Sequence, residues 1–417
     1  MICVTTGWLD VTRRRLLATI GLALFFTYVV LRSAQRGNDF KYPYLAAQAL
    51  WRTSRLHVSA QPRYPVSFHV LLSPLASLPI GLASTVWAVL SFAAVGALPR
   101  IFERLSGLTL RQQAPAWFVV LPFFIDALVL GQSDPINVCL VALGLRALLQ
   151  KKAMTSVGLV GLAGLIKILP ILHWATIIAR ARTWRVWPAM ALTITLGLGV
   201  IVVAVGWSSA LAAIREQAVW LSSAEKPWHL VARHADLRVN NESLPIVLAR
   251  TFGDLGANQP LHALSLGILS LSRIWLLWGL VLAGLVMAWI VIAQKTRTAE
   301  PQRATLGMFA LTSIVMLAST PICWHHYFLW LSPAVIFLAP RRRLLWACGS
   351  LSLVGTALPV ARGLGCHMLI ALGLFTVVAY DLLRRPDGPP QQATTIEFDG
   401  LPEFALRTSI GALPRRD

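Results

Sequence analysis

Few residues in this chain could do chemistry. There are 17 Asp and Glu against 37 Lys and Arg. One acid, Asp39, stands in "RGNDFKYPYLAAQALW", just past an apolar run over residues 16–31. Arg36 and Lys41 flank it, with Tyr42 and Tyr44 close behind. Far along the chain, "STPICWHHYFLWL" puts His325 and His326 after Trp324. A carboxylate or a histidine beside a hydroxyl can take its proton. Positive charge or hydrogen-bond donors can stabilise a departing phosphate. Asp39 and His326, with Arg36, Lys41 or Lys167 as the cation, would supply both parts. The residues alone also admit a plainer role, in which Asp39 only pairs with Arg36 or Lys41 and the two histidines mark a polar helix start.

Other chemistries lack their residues. There is no G-x-x-x-x-G-K-[ST] and no H-E-x-x-H. No D-x-D occurs, which weighs against a transferase that holds a nucleotide sugar through a metal. Cys3, Cys139, Cys323, Cys348 and Cys366 form no C-x-x-C pair, so neither a zinc nor a redox site is expected. Embedded acids of the kind that line ion pathways reduce to Asp126, in "FFIDALVLGQ". The net charge of +20 comes without the basic-aromatic module of a nucleic-acid binder. It reads instead as the basic flanks of membrane helices.

A membrane bundle must position these residues. The chain is 56% hydrophobic and 13% charged, with mean hydropathy +0.66. A soluble protein carries roughly twice that charged fraction. The expected fold class is an all-α integral membrane protein, a multispanning bundle of about 12 membrane helices. Residues 1–383 would form one polytopic domain, and 384–417 a disordered cytoplasmic tail.

Short basic loops set the threading. Arg13, Arg14 and Arg15 put the N-terminus in the cytoplasm and make the first apolar run an uncleaved span rather than a signal peptide. Residues 33–81 become the first extracytoplasmic loop. Within it, Pro65, Pro74 and Pro79 favour juxtamembrane helices over a second crossing. Spans follow at 82–98, 114–130 and 136–149. Residues 155–179 are apolar but bounded by basic residues at both ends, with Lys167 and Pro170 between. A short re-entrant-like pair that turns at Lys167 keeps both basic ends on one side. Each arm would be roughly 18 Å long. A single span with a snorkelling lysine is the alternative. A span at 187–205 then leads out to a second large extracytoplasmic segment, 207–272, and 274–293 returns. Later spans turn outside at "CWHHY" and "RGLGC", and the C-terminus ends inside. Asp39, Gln132, Asp134, Lys167, Asn240, Asn241, Glu242, Trp324, His325 and His326 all fall at or near the outer face.

Five blocks then resemble glycosyltransferase family 87. They are "DFKYPYLAAQAL", "GQSDPINVCLVALGL", "GLVGLAGLIKILPIL", "NNESLPIVLAR" and "STPICWHHYFLWL", in that order across residues 39–330. The resemblance implies the GT-C architecture and an inverting transferase that uses a polyprenyl-phosphate sugar, with mannose as the expected hexose. The acceptor would be a hydroxyl of an envelope glycolipid or glycan, and the site would face outward from the cell membrane. It implies Asp39 as catalytic base and His326 as its catalytic partner. Arg36, Lys41, Gln132, Lys167, Asn241, Arg250, Trp324 and His325 would bind donor phosphate or substrate. No cofactor or metal is implied, because the donor carries a monophosphate. The chain departs from the family pattern at Glu242, where Gln is usual, and at His325, Thr320 and Cys323. A flippase or transporter of a lipid-linked sugar remains the competing reading. It calls for functional polar residues at mid-membrane and on the cytoplasmic side, where the sequence offers few.

Overall fold

The computed structural model describes residues 5–36, 39–53, 64–181, 183–223, 240–254 and 265–384; for 5–15, 18, 33–36 and 219–223 it describes the backbone alone. All elements among the described residues are helical. Two isolated bridges, Asn241 to Trp324 and Gly253 to Leu269, are the exceptions. The expected tail beyond Arg384 and the segments 224–239 and 255–264 lie outside the described residues.

The first half is punctuated by proline and glycine. Helices α1 (Thr5–Arg36) and α2 (Lys41–Thr53) flank the turn that carries Asp39. Pro65 and Pro79 stand at the starts of α3 (Val66–Ala76) and α4 (Ile80–Ser106). Gly107 and Gly131 end α4 and α5 (Leu110–Leu130) with φ of 72° and 66°. Only a residue without Cβ adopts that conformation freely, so each glycine stops its helix. Thr109 N–H donates to Gln112 Oε1 at 2.8 Å and opens α5. Pro135 occupies the first turn of α6 (Asp134–Leu149), where its missing N–H costs nothing.

The stretch that reads as a turn at Lys167 does break there. Helix α7 (Ala153–Ile166) ends on Lys167, whose backbone is extended. A 3₁₀ turn, Leu169–Leu172, carries Pro170 and leads into α8 (His173–Ala181). Gly164 lets the turn fold back on α7. A Cβ there would meet Ile171 Cγ1 at 2.3 Å. Gly164→Ala should therefore lower stability by about 1–3 kcal/mol, the usual range for overpacking. Thermal melts of the purified protein would show it, and adding Ile171→Ala, which removes the clashing Cγ1, should relieve the overpacking.

The second half comprises α9 (Val186–Val205), α10 (Trp207–Ser223), α11 (Leu244–Phe252), α12 (Leu271–Lys295) and α13 (Pro301–Ser319). A 3₁₀ stretch, His325–Leu331, runs into α14 (Ser332–Phe337). Helices α15 (Arg342–Ala357), α16 (Pro359–Gly363) and α17 (Cys366–Arg384) complete the described bundle. Helix α13 lies at its centre, buried along nearly its whole length, with Phe309, Leu311 and Ile314 fully enclosed.

Five described helices, α4, α5, α9, α12 and α17, are long and apolar enough to cross a membrane. Large apolar side chains on α9 and α12, such as Leu196, Leu276 and Leu280, face outward, as lipid contact requires. The chain is a multi-pass membrane protein. Several other expected spans are shorter or broken: α6 and α15 have 16 residues each, and α7 and α8 are separated by the Lys167 break. Helix α13 has 19 residues but carries Gln302 and Arg303 in its first turn. Helices packed among other helices need no continuous apolar surface, so the hydropathy pattern counts them differently from lipid-facing spans. Helix α3, expected at the interface, is largely buried. Ser67 Oγ donates to Leu165 O at 2.7 Å and ties α3 to the end of α7.

Two ends of the bundle can be told apart. At one, Arg341 Nε donates to Asp381 at 3.0 Å and Arg180 Nη1 to Thr296 O at 2.6 Å. Gln302 Nε2 donates to Arg104 O at 3.1 Å beside them in the chain's basic loops. At the other end the Asp39 turn meets the ends of α5 and α7 and the histidine stretch.

Candidate functional site

The turn after α1 is held from three directions. Asp39 N–H donates to Leu130 O at 3.0 Å. Phe40 stacks on Trp87 with centroids 5.4 Å apart, and Trp87 Nε1 donates to Gly131 O at 2.9 Å. Phe40, Tyr44, Phe68, Leu72 and Trp87 form a small core of their own beneath the loop. These contacts fix the backbone of a half-buried carboxylate. Gln132 Nε2 donates to Asp39 Oδ2, and Tyr64 Oη donates to Gln132 Oε1 at 3.2 Å. Burial pushes the Tyr64 phenol above its ordinary pKa, so it stays a hydroxyl donor.

Asp39 lines an open cavity of about 300 Å³, together with Asp126, Leu130, Asn240, Trp324, His325, His326 and Arg362. Asp126 Oδ2 lies 3.3 Å from His325 Nδ1 and 3.8 Å from His326 Nδ1. His325 Nε2 reaches Thr356 Oγ1 at 3.0 Å, so that ring is bonded at both nitrogens. His326 is almost fully buried, and its Nε2 has no hydrogen-bond partner, the nearest carboxylate being Asp134 Oδ2 at 3.9 Å. Two carboxylates, two imidazoles and a guanidinium thus surround one space. Such a set can accept a proton from a hydroxyl and stabilise negative charge nearby. Among the described residues, no three His, Cys, Asp or Glu are placed to hold a metal ion.

Of the residues singled out in sequence, Asp39, Asp126, Asn240, Trp324, His325 and His326 line the cavity, and Gln132 stands directly behind Asp39. Lys41 is exposed, and the side chain of Arg36 lies outside the described residues. Lys167 does not line the cavity. It is 8% exposed, its Nζ is 2.7 Å from Asp134 Oδ2, and it lies 3.7 Å over the Tyr327 ring. Asn241 and Arg250 are buried too, and they brace the histidine turn from below. Asn241 Oδ1 accepts from Cys323 N at 2.9 Å, and Arg250 Nη1 donates to Asn241 O at 2.9 Å. Glu242 is fully buried against His367, with Oε1 to Nδ1 at 2.7 Å.

The sequence profile of glycosyltransferase family 87 matches residues 63–321, more than half of the chain. The chain belongs to glycosyltransferase family 87. It is therefore a membrane glycosyltransferase. Gln132, Lys167, Asn241 and Arg250 fall within the matched residues 63–321, whereas Asp39 lies well before them and His326 shortly after them. No curated protein and no solved structure matches the chain.

Sequence reasoning passed over Arg362, which the structure sets in the cavity wall. A signal was present: Arg362 stands at a turn assigned to the outer side, where the charge rule leaves few cations. His367 was passed over as well. It is a histidine inside an apolar run, and its partner Glu242 was noted as an outer-face polar residue and a departure from the family, without a partner being assigned.

Proposed function

We propose that this transferase moves a hexose, mannose in the simplest case, from a polyprenyl-phosphate sugar to a hydroxyl of an envelope glycolipid or glycan. The observation that carries the reading is the Asp39 carboxylate, anchored by Gln132 at the wall of a cavity it shares with His326. In this reading the acceptor oxygen attacks the anomeric carbon and Asp39 takes its proton. The bond from the anomeric carbon to the phosphate oxygen breaks, and its electron pair leaves with the phosphate. The sugar inverts. His326, which lines the same cavity, would stabilise the departing phosphate. A lipid tail held between helices would keep the reactive carbon near Asp39 and favour productive orientation. The donor's monophosphate needs no metal to bridge it.

The charge rule supports an extracytoplasmic site in the cell membrane. Lys151, Lys152 and Arg341 lie in loops, and Arg180 and Lys295 in the last turns of their helices, at the end of the bundle away from Asp39, and that end would face the cytoplasm together with both termini. The break at Lys167, with α7 and α8 leading away from it, suits a chain that turns back there. Transfer of radiolabelled sugar from a polyprenyl-phosphate donor, in membranes with and without the protein, tests the function. Failure to use any polyprenyl-phosphate sugar, with active transfer from another donor, would overturn it.

A further inference from the structure

The cavity holds two carboxylates, Asp39 and Asp126, and the phosphate of a lipid-linked sugar entering it would be repelled by both. Something permanently positive must offset them. Lys167 is a poor candidate, because the Asp134 carboxylate at 2.7 Å already neutralises it and it is not among the residues lining this cavity. Lys41 is exposed and is not among the residues lining the cavity. Among the described residues lining the cavity, Arg362 is the one cation whose charge does not depend on pH.

Arg362 is also held in an unusual way. Its Nη1 donates to Asn240 Oδ1 at 2.6 Å, its Nε to Gly355 O at 3.3 Å and its Nη2 to Thr356 O. All three partners are neutral, so the guanidinium is fixed in place without being neutralised by them. A guanidinium has five N–H donors. These bonds use three and leave one on each terminal nitrogen, the pair that suits two oxygens of a phosphate. Asp126, its carboxylate neighbour in the cavity, is bonded to His325. The plainer role for Arg362 is to cap the carbonyls at the end of α15, since Gly355 and Thr356 belong to its last turn. That role explains two of the bonds. It does not explain the third, which ties the guanidinium across 122 residues to an exposed asparagine on the cavity wall.

We propose that Arg362, set by Asn240, is the residue that holds the phosphate of the lipid-linked donor in this cavity. The inference rests on the lipid-phosphate reading above and goes beyond it in naming the cation. It places the phosphate between Arg362 and His326, with the sugar directed toward Asp39.

The test compares binding of a fluorescent polyprenyl phosphate and of the matching uncharged polyprenol to the purified full-length protein. The wild type should prefer the phosphate. Arg362→Gln should cut that preference by ~10–100-fold, the usual worth of a hydrogen bond to a charged group, while polyprenol binding stays level. Asn240→Asp is the second variant. It alters an exposed residue, leaves the guanidinium in place and neutralises it with a new carboxylate, so it should fold and lose the preference too. A phosphate preference unchanged in Asn240→Asp and in folded Arg362→Gln would overturn the role of Arg362, leaving the donor class standing. A wild type with no preference for phosphate over polyprenol would overturn both the donor class and the role of Arg362.

Discussion

Asp39→Asn is expected to lower kcat for sugar transfer by ~10²–10⁴-fold, the range for loss of a general base. KM for donor and acceptor should change little. The substitution keeps the shape of the side chain, and its Oδ1 can still accept from Gln132 Nε2. The backbone is held by Leu130 O and by the Phe40–Trp87 stack, neither of which involves the carboxylate. The turn should therefore survive while the basicity is lost, so the defect falls on turnover rather than on binding. The competing role is electrostatic ordering of the loop. An exposed ion pair is worth about 0–1 kcal/mol, and its removal would leave turnover nearly intact. Initial rates of label transfer at saturating donor, for matched amounts of the two proteins, separate these roles. Near-normal kcat in Asp39→Asn would move the base elsewhere, and Asp126 is the other carboxylate facing the same space.

Asp39 was legible in the sequence because acids are so rare here that one beside an apolar run stands out. The break at Lys167 was legible for a similar reason. Pro170 cannot continue a helix, and basic residues at both ends of the segment ask for a reversal. Partner choice was another matter. Lys167 and Asp134 are 33 residues apart, and Glu242 and His367 are 125 apart. Nothing in local pattern says that two such groups meet. An unassigned polar residue in an apolar chain looks functional, whether it faces substrate or another buried group. Asn241 and Arg250 show the consequence. Read as substrate ligands, they are buried at 0% and 1% exposure beneath the turn that carries Trp324 and His325. Arg362 shows the converse, since its place in the wall depends on how α15, α16 and the Asn240 turn come together.

Lys167 is where these two kinds of role divide most sharply. Lys167→Met should destabilise the protein by about 3–5 kcal/mol, because it leaves a buried carboxylate without its counter-charge. Asp134 is 1% exposed and would keep only the Trp330 Nε1 donor, at 3.0 Å. The favourable contact of the ammonium with the Tyr327 ring would go as well. If the damage comes from the orphaned charge, removing that charge should repair it. Asp134→Asn in the same chain keeps an oxygen for Trp330 and no longer needs a cation. The Lys167→Met/Asp134→Asn protein should regain most of the lost stability in a thermal melt and retain sugar transfer within about tenfold of wild type, the allowance for a small shift of the neighbouring His326. A role for Lys167 on the donor phosphate predicts the opposite split. The double variant would then melt normally and yet bind polyprenyl phosphate no better than polyprenol, because folding can be repaired by removing a charge and phosphate binding cannot. Stability and phosphate preference measured on one protein thus decide whether Lys167 serves the fold behind the cavity or the chemistry inside it.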